Sequence, residues 1–159
     1  MHLRHWAVSP FIAAAFGCSG SSPATGALLV GCYQLSLESW QPTPAPDDAA
    51  FMALPNFFRL TPDLGEAPFY PEGSRRITPA IVSAHHDALQ ERAYWRHLSG
   101  DSLELIWSDG FTTVSLTVQS RDSVLQGIAR AFSDVQFSSP IAQAAARAVR
   151  APCDEVPAA

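Results

Sequence analysis

The residues best suited to chemistry are few. Adjacent His85 and His86, followed by Asp87 in "SAHHDAL" (83–89), are the imidazole and carboxylate groups that ligate zinc and similar ions. Neighbouring histidines diverge, to opposite faces of a strand or by about 100° on a helix. One histidine with Asp87 offers two ligands, short of a closed site, and no metal is expected. Asp101, Asp109 and Asp122 could act as paired carboxylates, but each belongs to a turn signal that already explains it. No serine sits in a Gly-x-Ser-x-Gly elbow, and no glycine-rich phosphate loop is present. The reading assigns no catalytic residue and no cofactor, and does not expect an enzyme.

The remaining reactive side chains are three cysteines, Cys18, Cys32 and Cys153. "MHLRHW" is a short basic segment, "AVSPFIAAAFG" an apolar one of signal-peptide length, and a small polar run follows Cys18. This arrangement resembles a bacterial lipoprotein signal. The resemblance implies a signal peptide over 1–17, acylation of Cys18 as a lipid anchor, and a flexible tether over 18–27. Ser19 after the cysteine implies an outer-membrane address, so the protein is expected in the periplasm or outer membrane. An ordinary secretory signal cut nearby is the alternative. Two cysteines left in an exported chain pair as a rule, which joins Cys32 to Cys153; the other reading is two free, small thiols.

The elements that must bring those two cysteines together are strands. The 159 residues are 47% hydrophobic and 16% charged, which suits one packed domain. All ten basic residues are arginine, scattered along a chain of net charge −5, which excludes a nucleic-acid partner needing a clustered basic surface. "GALLVGCYQLSLESW" (26–40) alternates, with Tyr33, Leu35 and Leu37 on one face. Pro-rich loops dominate 41–80, with short strands around 56–60 and 75–84.

From residue 91 three turn signals, Gly100-Asp101, Asp109-Gly110 and Arg121-Asp122, separate β-rich runs. Counting outward from two-residue turns pairs Tyr94 with Trp107, Arg96 with Leu105, Leu105 with Val114 and Leu116 with Gly127. His97 then lies across from Glu104. One face collects Tyr94, Leu98, Leu103, Leu105, Trp107, Val114, Leu116, Val118 and Leu125, and a four-stranded antiparallel meander results. "IAQAAARAVRAPC" (141–153) favours helix by alanine propensity and strand by the need to reach Cys32; the reading takes the strand.

A last strand returning beside the first is an up-and-down antiparallel barrel, all-β, of about eight strands over 28–153, with a tail at 154–159. Gly31-Cys32-Tyr33 at the opening strand, the meander and the return resemble the lipocalin or calycin superfamily, which carries a Gly-x-Trp there. That family implies an arginine from the last strand packed over the aromatic ring, a part open to Arg147 or Arg150. The "GCY" opening and the "RAPC" end also resemble short exported bacterial β-proteins of unknown function.

The barrel reading raises one functional expectation. Gly127, Ala129 and Ala131 make the inner face small in one strand, which either fits a filled taper or leaves a cavity. The expected function is binding of a small apolar or amphipathic molecule lined by Tyr33, Leu35, Tyr94, Arg96, Leu105, Trp107, Leu116 and Gly127. Arg96 would meet a ligand carboxylate. The alternative is an envelope protein with a filled interior that engages a protein partner through outer apolar residues: Trp95, Ile106, Phe111, Ile128 and Phe132.

Overall fold

The computed structural model describes residues 28–43, 53–65, 70–78, 92–110, 112–133 and 139–155. The signal segment 1–17, Cys18, the tether 18–27, Phe111 and the His85–His86–Asp87 group lie outside the described residues, as does the tail beyond 155.

Eight strands close into one antiparallel barrel in chain order: β1 (Gly31–Leu37), β2 (Phe57–Leu64), β3 (Arg75–Thr78), β4 (Arg92–Ser99), β5 (Ser102–Ser108), β6 (Thr112–Arg121), β7 (Val124–Ser133) and β8 (Ala142–Ala151). Each strand pairs with its sequence neighbour, and β8 returns to β1, with Tyr33 opposite Arg150 and Leu35 opposite Ala148. The expected all-β, up-and-down architecture is the one found, and 142–151 is a strand. Its alternation explains why: Ala142, Ala144, Ala146 and Ala148 are buried while Gln143, Ala145 and Arg147 are exposed, so a period of two overrides alanine's helical preference.

The β5–β6–β7 faces are as the turn count has them, although the turns differ. Four residues, 109–112, separate the paired Ser108 and Thr113, and Asp109 Oδ1 accepts the Thr112 N–H at 2.7 Å. The β6–β7 turn is Asp122-Ser123, both at positive φ, between paired Arg121 and Val124. Both changes move each partner by two residues, so Trp107 faces Val114 and Leu116 faces Ala129. A shift of two leaves every side chain on its expected face.

Strand β4 is the correction. Its turn, Gly100-Asp101, is placed as expected, with Ser99 opposite Ser102, but an irregularity between His97 and Ser99 slips the register by one. Ala93 and Trp95 therefore point inward, while Tyr94, Arg96 and Leu98 do not line the barrel. Trp95, expected outside, is 2% exposed. Glu104 consequently faces Arg96, not His97.

A second irregularity, in β2 between Leu60 and Leu64, completes the arrangement. Leu60 and Thr61 are buried in succession, and the Thr61 carbonyl, turned out of the ladder, accepts the Trp95 indole N–H at 3.0 Å. Two bulges, one in each strand, thus admit a large aromatic and satisfy its donor.

Candidate functional site

The seam where β8 meets β1 is held by a disulfide and an arginine as well as by its strand ladder. Cys32 and Cys153 are disulfide-bonded with Cα atoms 5.2 Å apart. Beside them Arg150 stands opposite Tyr33 on β1. Its Nη1 and Nη2 each donate at 2.8 Å, to the carbonyls of Leu28 and Val30, in the segment that crosses the barrel end before β1. A Cβ on Gly31, at φ 151°, would meet the guanidinium at 2.8 Å, so the position needs glycine for both conformation and space. Tyr33 Oη donates to the Leu29 carbonyl at 2.9 Å. Burial pushes the Tyr33 phenol above its ordinary range, and the nearby Arg150 charge pulls the other way.

The residues expected to line a binding cavity divide into two groups. Tyr33, Leu35, Leu105, Trp107 and Leu116 do point inward. They form a filled core: Phe58 stacks on Tyr33 at 5.6 Å and meets Trp107 edge-on at 5.4 Å. Trp107, Phe58, Leu60, Leu103, Leu105, Ala129 and Ala131 are all 0% exposed, so none of them borders a space that admits water. Gly127 does not create room either. A side chain there would run into the Thr117 carbonyl of β6, and the missing Cβ marks a close backbone approach. Eight strands enclose an interior that side chains just fill.

Tyr94 and Arg96 belong to the outer wall. Arg96 Nε donates to Glu104 Oε2 at 2.6 Å, and Ser115 Oγ donates to Glu104 Oε1 at 3.4 Å. Tyr94 packs edge-on against Tyr70 at 5.8 Å. Burial raises the Tyr94 phenol, Glu104 raises it further, and Arg96 and Arg92 oppose both. This is a self-satisfied surface cluster, so Arg96 has its carboxylate from within the chain. Of the outer apolar residues named from sequence, Ile128 is exposed while Ile106 and Phe132 are half-buried. They do not make one broad apolar patch.

The outer wall does carry a trough. Three adjoining depressions of about 250, 260 and 220 Å³ run across β6, β7, β8 and β1. The first is bounded by Gln119, Arg121 and Gln126, the second by Gln126, Gly127, Ser36 and Arg147, and the third by Glu38, Ile128, Gln143 and Ala145. Small residues at its centre, Gly127 and Ala145, make the depth, and amides, hydroxyls and guanidinium groups line it. The turn count missed this feature because it looked for function on the inner face. The outward Gln126 on β7, opposite Arg147 on β8, and Gln143 were its available signal.

Among the described residues no three His, Cys, Asp or Glu side chains could hold a metal. No family model, no curated protein and no solved structure matches this chain.

Proposed function

We propose that the protein is an exported, lipid-anchored envelope module that works through its outer wall, engaging a protein partner, and that its interior serves only as core. The observation that carries this reading is the filled barrel: the aromatic and aliphatic lining leaves no water-sized space around Trp107, Phe58 or Leu105. A ligand-binding barrel of this kind needs a cavity of roughly 300 Å³ or more. The disulfide supports export, since such bonds persist in oxidising compartments. The trough, open along the outer wall with amide, hydroxyl and guanidinium groups beside apolar surface, supports contact with another macromolecule in place of capture of a small apolar one.

The test joins two measurements on protein purified from membranes. Native mass spectrometry should find the polypeptide with no co-purifying ligand. A photo-crosslinking residue at Gln126 or Arg147 should give a discrete protein adduct in intact cells, lost when Ala145→Arg fills the trough. A retained one-to-one lipid-sized mass, with no adduct from the trough, would overturn the reading in favour of a small-molecule binder.

A further inference from the structure

Most of a barrel's exposed apolar side chains need no account, yet here they collect at one end. Among the described residues the exposed large hydrophobics are Leu28 at 73%, Leu64 at 65%, Leu98 at 46% and Ile128 at 41%. The register places the first three together. Gly31 is level with Leu60, so Leu64 and Leu28 both lie beyond that level toward the same end. Arg75 is level with Leu64 and with Trp95, which puts Leu98 three residues further the same way. These leucines occupy the rim from β1 to β4, at the end closed by Leu29, Arg150 and the disulfide. Ile128, in mid-strand on β7, stands apart.

The same end is where the chain enters. Residues 1–27 precede Leu28 and hold the apolar run "AVSPFIAAAFG" and Cys18. Acylated at Cys18, the chain leaves only residues 18–27 between bilayer and barrel, a span of at most about 33–36 Å when extended. So short a tether keeps this end at high effective concentration against the bilayer, and weak apolar contacts suffice to seat it. Exposed charges on this rim are mainly acidic, Asp63, Glu72, Asp101, Asp122 and Asp154 against Arg121 and Arg150. The fit is therefore to a zwitterionic lipid surface through apolar contact, without attraction to anionic headgroups.

We infer that the barrel sits end-on on its own membrane, with Leu28, Leu64 and Leu98 in the lipid interface. The inference rests on the lipid-anchor reading. Its test uses the full chain, purified from membranes and reconstituted on vesicles of phosphatidylethanolamine and phosphatidylcholine. An environment-sensitive dye is attached to a cysteine at Leu64→Cys, Leu98→Cys or, as control, Gln143→Cys, with the native disulfide kept oxidised. Iodide should quench the dye at 64 and 98 at least about threefold less than at 143, and adding phosphatidylglycerol should not deepen the difference. Equal quenching at all three positions would overturn the end-on placement. The mass of the same samples reads acylation separately. Acylated protein with equal quenching refutes the placement and keeps the anchor; unacylated protein with shielded 64 and 98 refutes the anchor and keeps the lipid-facing end. Because both leucines are exposed, the variants should melt with the parent, and one that does not is replaced by Leu28→Cys.

Discussion

The barrel has two unlike walls. Strands β1–β6 point Tyr33, Phe58, Leu60, Trp95, Leu103, Leu105, Trp107 and Leu116 inward, whereas β7 and β8 present Leu125 and then only small residues: Gly127, Ala129, Ala131, Ala142, Ala144, Ala146 and Ala148. Large side chains from one wall reach across and end on a nearly flat one. Small residues in a barrel therefore do not by themselves signal a cavity. What matters is whether the opposite wall is large enough to consume the space, and here it is. The two walls are closed by their seam at β1 and β8, which carries the disulfide and the Arg150 clamp.

Opening the seam is expected to have the largest effect. Cys32 and Cys153 are 121 residues apart, and the chain-entropy account assigns such a link roughly 5 kcal/mol. Cys32→Ser with Cys153→Ser should lower unfolding stability by that order in urea titrations; a loss under about 1 kcal/mol would mean that the strand ladder alone holds the walls together.

Hollowing the bulky wall comes next. Trp107→Ala should cost about 3–5 kcal/mol, offset in part because the Trp107 indole N–H is buried without a partner among the described residues. The vacated space should then bind a small apolar probe such as benzene and raise the variant's melting temperature but not the parent's. A parent that responds equally to the probe would contradict the filled interior.

Filling the flat wall should cost less. Ala129→Leu adds volume where none is free, for about 1–3 kcal/mol. Ala129 pairs with Leu116, so adding Leu116→Ala should return part of the loss, a coupling readable in a double-mutant cycle. Strict additivity would show that the two walls do not share one packed volume.

The smallest effect sits on the phenol at the seam. Tyr33→Phe removes the bond to the Leu29 carbonyl for about 0.5–1.5 kcal/mol. With its folded pKa raised above the ordinary value of 10.0, the neutral phenol stabilises fully below pH 10. That contribution fades as pH rises through the folded value, because the unfolded chain ionises first. Melting temperatures followed into alkali should fall less steeply in Tyr33→Phe than in the parent.

Much of this was legible from residue order because strand faces obey parity. Misjudged turns at 109–112 and 122–123 each moved partners by two, so Leu105, Trp107 and Leu116 stayed inside. The β4 bulge moved them by one, and Tyr94, Arg96 and Trp95 changed sides together. Nothing in "AYWRHLSG" distinguishes the two registers, since both faces of that stretch offer an aromatic ring. The decision lies with Thr61, which sits 34 residues earlier and accepts the Trp95 N–H.

Sequence alone determined the all-β class, the alternation of β1 and β5–β7, and the pairing of Cys32 with Cys153, because period-two patterning and cysteine number are local or countable quantities. Only the tertiary structure decided that Arg150 and not Arg147 clamps the entry segment, that Arg96 faces Glu104 on the outside, and that the interior is full. Each of those depends on which wall stands opposite and at what register, and that distance is set when the barrel closes.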